Sequence, residues 1–228
     1  VGGLAGDAMT VGQNNVAMGV AALSSDVGGS RSVAIGRGAL ETQNMGTTDT
    51  NSHNVAVGYG AGGAVTTGDR NTLIGAEAGD ALNTGAANVV VGYLALSADT
   101  KGSSNVAVGR SALTAQNFTT GTDSFNTAVG DRAGTAVTTG TNNTIVGGLA
   151  GDAITTAVGS VAMGQGALTA LQTGNSNVAI GYGAGSGMNG VASNTCVGSS
   201  ALDGVCGNSN VAIGVSCMGS TNSTSASN

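Results

Sequence analysis

The side chains that could do chemistry are few in this 228-residue chain, which contains a single histidine, His53. A catalytic triad or a zinc site needs several such groups together, so His53 is interpreted as an ordinary loop residue. Residues 58–63 read GYGAGG and match the phosphate-binding pattern G-x-G-x-x-G. That pattern works only where a helix follows and an acidic residue lies about 20 positions further on. We therefore predict no catalytic residue, no metal ligand, no cofactor and no enzymatic activity.

Three aspartates, Asp7, Asp80 and Asp152, recur at one position relative to a repeated glycine. Stacked carboxylates could form a calcium-binding row, since calcium prefers oxygen ligands. Among the repeats that have glycine directly before this position, only three carry the aspartate, however, and they are not adjacent. We interpret the three as solvated turn residues.

The three cysteines, Cys196, Cys206 and Cys217, lie near the end of the sequence. Cys196 and Cys217 replace alanines of the repeat and are read as small buried residues, while Cys206 lies in a turn. A disulfide between two of them is left open, and the odd count leaves at least one free thiol.

Two insertions interrupt the sequence pattern, at residues 41–54 and 114–126, and the second contains both phenylalanines, Phe118 and Phe125. Excursions of this kind often carry the binding surface of a repeat protein. The two rings either pack the loop onto the repeat array or form a contact loop for a receptor or glycan.

The composition restricts the classes of partner. Charged residues make up 8% of the chain, and the net charge of −6 is spread without an acidic or basic run. Nucleic-acid binding needs clustered lysine and arginine, so none is expected. No apolar stretch reaches the length of about 18 residues that a membrane span needs, so no membrane insertion is expected.

A short phrase ending in glycine recurs thirteen times, and successive glycines usually lie seventeen positions apart, as Gly19 and Gly36 do. The residue four positions before this anchor glycine is usually Asn, the residue two before is usually Ala, and the residue three after is nearly always Ala. The anchor glycines are Gly2, Gly19, Gly36, Gly58, Gly75, Gly92, Gly109, Gly130, Gly147, Gly164, Gly181, Gly198 and Gly214.

The residue four positions after the anchor divides the repeats into two kinds, one with leucine and one with glycine. Each glycine repeat has an aliphatic residue three positions later, whereas four of the six leucine repeats have Asp or Gln there. The later side chain is predicted to fill the space of the missing leucine, because a core must be filled to native density.

These patterns predict an all-β protein, a parallel β-solenoid or β-roll of about 13 coils, because short strands that end at glycine stack on their copies in the next coil. The array is assigned to residues 1–219 and a Ser/Thr/Asn-rich tail to residues 220–228. Asparagine amides can donate and accept at once, so the Asn column is predicted to form a structural ladder. Its members are Asn15, Asn54, Asn71, Asn88, Asn105, Asn126, Asn143, Asn177, Asn194 and Asn210.

Three consecutive apolar residues precede each anchor, although neighbouring residues of a strand face opposite sides. Strands that are buried on both faces read as such continuous apolar runs. The second face is therefore predicted to contact another copy of the chain, with the alternative that a wider coil covers both faces. The alanines assigned to this subunit interface are Ala107, Ala128, Ala162 and Ala179.

The repeats SNVAIGYGAG, NNTIVGGLAG and FNTAVGDRAGTAVTTGTNNT resemble arrays of the same period in tail-fibre-domain proteins of bacteriophages and bacteria. They are also similar to the head repeats of trimeric autotransporter adhesins, which share the S-V-A-I-G-x-x-A core at a shorter period. The resemblance implies a homotrimeric β-roll in a fibre or surface adhesin, located outside the cell or on a virion.

Three functions are expected from these observations. The first is a structural rod of an extracellular fibre that spaces or presents a receptor-binding part. The second is a self-assembling filament whose subunits stack end to end, and the third is an ice-binding solenoid. The expected partners are further copies of the chain and a cell-surface receptor or glycan.

Overall fold

A computed structural model describes residues 2–204 and 206–219 of the chain. The predicted tail, residues 220–228, lies outside the described residues. The described part contains sixteen strands and no helix; accordingly, it has no helix of the length and hydropathy that crossing a membrane requires. The strands are β1 (Val16–Met18), β2 (Gly29–Ser30), β3 (Val33–Ile35), β4 (Thr50–Asn51), β5 (Val55–Val57), β6 (Thr72–Ile74), β7 (Val89–Val91), β8 (Gly102–Ser103), β9 (Val106–Val108), β10 (Thr122–Asp123), β11 (Thr127–Val129), β12 (Thr144–Val146), β13 (Val161–Met163), β14 (Val178–Ile180), β15 (Thr195–Val197) and β16 (Val211–Ile213).

The twelve three-residue strands each precede an anchor glycine, and within each compact unit of the chain they pair in parallel with the copy in the next coil. In β13 and β14, for example, Val161 pairs with Val178 and Ala162 with Ala179, so the register advances by one repeat. The predicted parallel β-solenoid is therefore confirmed, with about twelve turns that follow the period of the sequence. The thirteenth anchor, Gly2, follows only Val1, which lies outside the described residues.

The chain forms two compact units. Unit 1 comprises Val1–Ser111 and Gln116–Asp123, and unit 2 comprises Ala112–Ala115 and Ser124–Asn228. Strands β1, β3, β5, β6, β7 and β9 pair in that order in unit 1. Strands β11 to β16 pair consecutively in unit 2. Each unit thus has one face of stacked strands.

The anchor position requires glycine for two reasons. Gly147 has a φ of +132°, a value that residues with a Cβ rarely adopt. In addition, a Cβ on Gly147 would lie 2.7 Å from the carbonyl oxygen of Gly164 in the next coil. Because the same crowding recurs along the stack, the glycine column allows the backbones of successive coils to approach each other.

The middle residue of each strand points into the coil, and its two neighbours point outward. In every three-residue strand except β1 the middle side chain is buried and the flanking ones are partly exposed. The assignment of a subunit interface to these middle alanines is therefore wrong. The four residues concerned are fully buried within the single chain: Ala107, Ala128, Ala162 and Ala179.

This correction has a physical reason. The middle residue is Ala in most coils, and Leu73, Val90 and Ile145 are also fully buried there, whereas the residues on either side point outward whatever their size. A run of three apolar residues hides this alternation, since all three look equally suited to a core. The outward residues, rather than the alanines, are available to a second copy.

The two kinds of repeat fill the same space in different ways. In the leucine repeats the side chain lies in the core with a φ near +50°, as at Leu113 and Leu168. A left-handed backbone conformation is unfavourable by about 1–2 kcal/mol per residue. Burial of the leucine side chain contributes about 1.5–3 kcal/mol and so offsets this cost. In a glycine repeat, a Cβ on Gly151 would lie 2.8 Å from Cδ1 of Ile154, which occupies the vacant space. The predicted compensation is confirmed.

The asparagine column links consecutive coils through hydrogen bonds. Asn194 donates to Asn177 Oδ1 twice, from its backbone nitrogen at 3.1 Å and from Nδ2 at 3.2 Å. Asn177 Nδ2 in turn donates to the carbonyl oxygen of Val191, at 2.7 Å. Serines replace the asparagine at Ser32 and Ser160, where the hydroxyl accepts from the backbone of the next coil. The ten asparagines are buried except for the half-buried Asn15.

Candidate functional site

The outward face of each unit is apolar and carries no charge. The side chains three and one positions before the anchors are Val, Ile, Met or Thr in every coil. Met163 and Ile180, which lie side by side, are each 39% exposed. The residues of unit 2 in these two columns are Thr127, Val129, Thr144, Val146, Val161, Met163, Val178, Ile180, Thr195, Val197, Val211 and Ile213.

This outward face leaves apolar side chains exposed. In unit 2, for example, Met163 and Ile180 are each 39% exposed, Val211 56% and Ile213 69%. Contiguous exposed apolar side chains of this kind mark contact surfaces more often than scattered ones do.

Beside this face, each unit has a groove on the turn that follows the anchors. Both grooves are lined by the residues one, two and five positions after the anchor in consecutive coils. In both, two successive coils have glycine two positions after the anchor, and a tyrosine follows the second anchor directly. The missing side chains leave a depression beside an exposed aromatic ring.

The groove of unit 1 has a volume of about 300 Å³ and contains several charges. Arg37 lies over the ring of Tyr59, 5.5 Å from its centroid, and donates to the tyrosine hydroxyl at 3.1 Å. The further lining includes Glu41, Glu77 and Asp80. This tyrosine face is therefore already in contact with a cation of the same chain.

The groove of unit 2 has a volume of about 380 Å³. Its tyrosine, Tyr182, is 64% exposed, and Asp152 is the sole ionisable residue of its lining apart from that tyrosine. The complete lining is Leu149, Asp152, Gln165, Gly166, Thr169, Tyr182, Gly183, Ser186 and Ser200. Hydroxyl and amide groups thus surround one aromatic ring and one carboxylate.

Each groove contains an aspartate oxygen that is buried without a partner. Oδ1 of Asp80 and Oδ1 of Asp152 have no hydrogen bond in the described part of the chain. Burial raises the pKa of the Asp80 carboxyl, and the nearby Glu77 adds to this. Burial also raises the pKa of the Asp152 carboxyl, against the opposing effects of its own backbone and of Arg132. An unpaired buried acceptor is unfavourable by about 1–3 kcal/mol. The rest of each carboxyl is partly exposed and lines its groove, where it can accept a hydrogen bond from a ligand.

The interpretation of these aspartates as solvated turn residues is therefore incomplete. It fits the exposed Asp7, but Asp80 and Asp152 each line a groove with a buried oxygen. The described residues contain no group of three or more His, Cys, Asp or Glu side chains placed to hold a metal ion.

A second pair of aspartates escaped the sequence analysis. Asp99 is fully buried, and its Oδ1 accepts from the backbone nitrogens of Gly102 and Phe118, both at 3.0 Å. Its Oδ2 accepts from Gln116 Nε2 at 2.6 Å. The same arrangement occurs at Asp26 with Gln43, Gly29 and Met45. The signal in the sequence was the Asp or Gln that replaces the aliphatic residue in four leucine repeats.

These aspartates fix the start of each insertion. Asp99 binds the backbone at Phe118, and the short strands β8 and β10 pair in parallel beyond it. Asp26 binds the backbone at Met45, and β2 pairs with β4. The insertions are therefore bound to the coils by a buried carboxylate and a backbone ladder.

The chain matches no protein-family model, no curated protein and no solved structure. Its function is therefore inferred from the surfaces described above.

The structure separates the two phenylalanines of the predicted contact loop. Phe118 is 7% exposed, so its ring packs inside and cannot offer a contact surface. Phe125 is 55% exposed and lies at the same repeat position as the exposed His53, five before an anchor. Only Phe125 remains a candidate for contact.

The three cysteines are free thiols. Cys196 and Cys206 are buried, and Cys217 is partly exposed. Burial raises the pKa of Cys196 to about 12, with a contribution from the neighbouring Cys206. A thiol with this pKa stays protonated near neutral pH and is a poor nucleophile.

Proposed function

We propose that this protein is a structural rod of an extracellular fibre, a phage tail fibre or a bacterial surface adhesin, in which copies associate through their outward strand faces. The observation that supports this proposal most is the uncharged apolar face of each unit. A contiguous apolar surface without charge is more typical of an interface than of a solvated surface.

The internal construction suits a spacer. Consecutive coils are joined by strand pairing, by the asparagine column and by the close approach at the anchor glycines. Such contacts connect each coil mainly to its neighbours, so length can be added without changing the cross-section. The resemblance to trimeric fibre repeats favours three copies.

The test places charge on the outward face without touching the core. In the double variant Met163→Lys/Ile180→Lys, both lysines can remain solvated in a single chain but not in an apolar interface. The native protein is expected to have a molar mass in solution three times the 21.4 kDa of one chain. The variant is expected to be a folded monomer. Analytical ultracentrifugation and circular dichroism measure the two properties.

The matched control is Thr156→Lys/Thr173→Lys, which adds the same charges in two consecutive coils at exposed turn positions. It should stay assembled. A monomeric native protein would contradict the proposal, and open polymers that survive the outward lysines would favour the end-to-end filament instead.

A further inference from the structure

The groove of unit 2 combines three features. It has an exposed aromatic ring at Tyr182, a partly exposed carboxylate at Asp152, and a depression where Gly166 and Gly183 lack side chains. Small-molecule sites are concave and combine apolar surface with a few convergent polar groups. The groove has this composition on the scale of a small ligand.

The depression exists because of the two glycines and not because the backbone demands them. Gly183 has a φ of +62°, and the equivalent Leu149, Ser200 and Arg132 adopt nearly the same value with side chains. A Cβ on Gly183 would meet no atom closer than Ser200 Oγ at 3.6 Å. Since the fold accepts side chains at this position in other coils, the glycine leaves space that a larger residue would fill.

The charges of the groove select against ionic ligands. Its lining contains no lysine or arginine, so a phosphate, sulfate or carboxylate would find no cation in direct contact. A cation would find a single carboxylate, whose charge the nearby Arg132 already opposes. A neutral ligand remains, and it must supply hydroxyl or amide donors to Asp152.

The polar groups suit a polyhydroxylated ring. Thr169, Ser186 and Ser200 offer hydroxyls that donate and accept, Gln165 offers both functions in an amide, and Asp152 accepts. A pyranose ring has an apolar C–H face that can lie on an aromatic ring and a rim of hydroxyls that both donate and accept. Tyrosine is suited to this contact, since its ring is a rigid apolar surface with a polar tip.

We propose that the groove of unit 2 binds a neutral saccharide, with the sugar ring on Tyr182 and a sugar hydroxyl donating to the carboxylate of Asp152. The inference deepens the proposed fibre function, on which it rests for its biological role, by naming the ligand class that the fibre recognises. The groove of unit 1 does not share the property, because Arg37 covers the face of Tyr59.

The experiment probes the 228-residue chain on a printed array of neutral oligosaccharides of glucose, galactose, mannose and N-acetylglucosamine beside sialylated and sulfated ones. The affinity for the best neutral glycan is then measured by titration. Saturable binding to neutral glycans is expected, with at least a tenfold loss in Tyr182→Ala and in Gly183→Leu.

Two controls make the result decisive. Tyr93→Ala removes an equally placed tyrosine that lines neither groove and should bind like the native protein. Thermal unfolding of Gly183→Leu shows that the variant is folded, and Tyr182→Ala tests the same groove independently.

Binding only to acidic glycans, no binding to neutral ones, or binding that neither groove variant weakens would each overturn the inference. The fibre proposal is judged separately by ultracentrifugation of the outward lysine variants. A chain that assembles but binds no neutral glycan would therefore refute the saccharide site alone.

Discussion

Asp99 in unit 1 and Asp152 in unit 2 both lie in the turns of the solenoid, yet their surroundings are opposite. Asp99 is fully buried and receives three hydrogen bonds, two from backbone nitrogens and one from Gln116. Asp152 is only partly buried, but its Oδ1 has no donor. Each arrangement has a copy, at Asp26 and at Asp80.

The contrast shows that the number of hydrogen-bond donors around a carboxylate, rather than its depth of burial, distinguishes a structural carboxylate from one that a ligand can use. A buried charge is tolerated when it is paired or fully hydrogen-bonded. The donors of Asp99 come from the same turn, at Gly102, and from the insertion, at Gln116 and Phe118. No such donor reaches Oδ1 of Asp152 within the described residues, so this carboxylate lacks the set of hydrogen bonds that holds Asp99 in place.

The largest effect should come from removing the satisfied carboxylate. Asp99→Ala leaves the Gly102 and Phe118 nitrogens and the Gln116 amide without their acceptor, and we expect a loss of about 3–5 kcal/mol in the free energy of unfolding. Urea titration followed by circular dichroism measures it. Asp69→Ala, at a surface ion pair, should change stability by about 1 kcal/mol or less; equal effects at the two sites would contradict the structural role.

A smaller effect is expected in the asparagine column, where the same contrast occurs between amides. Asn177 Oδ1 accepts two hydrogen bonds, whereas Asn210 Oδ1 is buried without one. Asn177→Ala should therefore lower the free energy of unfolding by about 2–3 kcal/mol, and Asn210→Ala should lower it by about 1 kcal/mol less than that. Denaturant titration of both variants measures the two losses, and a larger loss in Asn210→Ala would contradict the prediction.

The smallest effect concerns the unpaired carboxylate and its dependence on pH. Because the pKa of Asp152 is raised above 3.8 in the folded protein, the native state holds this proton more tightly than the unfolded chain does. The group therefore contributes stability at low pH, and this contribution is lost as the pH rises through the raised pKa. Asp152→Asn mimics the protonated form and should lack this loss.

The measurement is the melting temperature of the native protein and of Asp152→Asn, followed from acidic to neutral pH. The difference between them should widen in favour of the variant as the pH rises above 3.8, the ordinary pKa of the group. Parallel curves over the whole range would show that the carboxylate is solvated and would weaken its assignment to a ligand site.

The sequence alone predicted the period, the anchor glycines, the exchange between leucine and glycine repeats and the placement of the asparagines in one column. These features repeat within a single coil, so aligning the repeats reveals them. The orientation of the strand could not be read in the same way. Val161, Ala162 and Met163 are all apolar, and an apolar run of three does not show whether the middle residue or its two neighbours point into the coil.

Features that join different coils were also hidden. The bond between Asp99 and Gln116 needs the two turns to be stacked in register. The groove at Tyr182 combines residues of four consecutive repeats, from Leu149 to Ser200. Each of these residues is unremarkable within its own repeat, and the site exists only after stacking.

The short distance along the sequence between paired strands has a consequence for how quickly the chain folds. Val161 pairs with Val178, one repeat later, and even the step across the first insertion only joins Val33 to Val55. One repeat is a small fraction of the chain, which gives a relative contact order of about 0.07, the range of helical bundles rather than of β-sandwiches. Closing each coil costs little chain entropy, so the sheet can grow one rung at a time from any nucleus and need not wait for distant segments to meet.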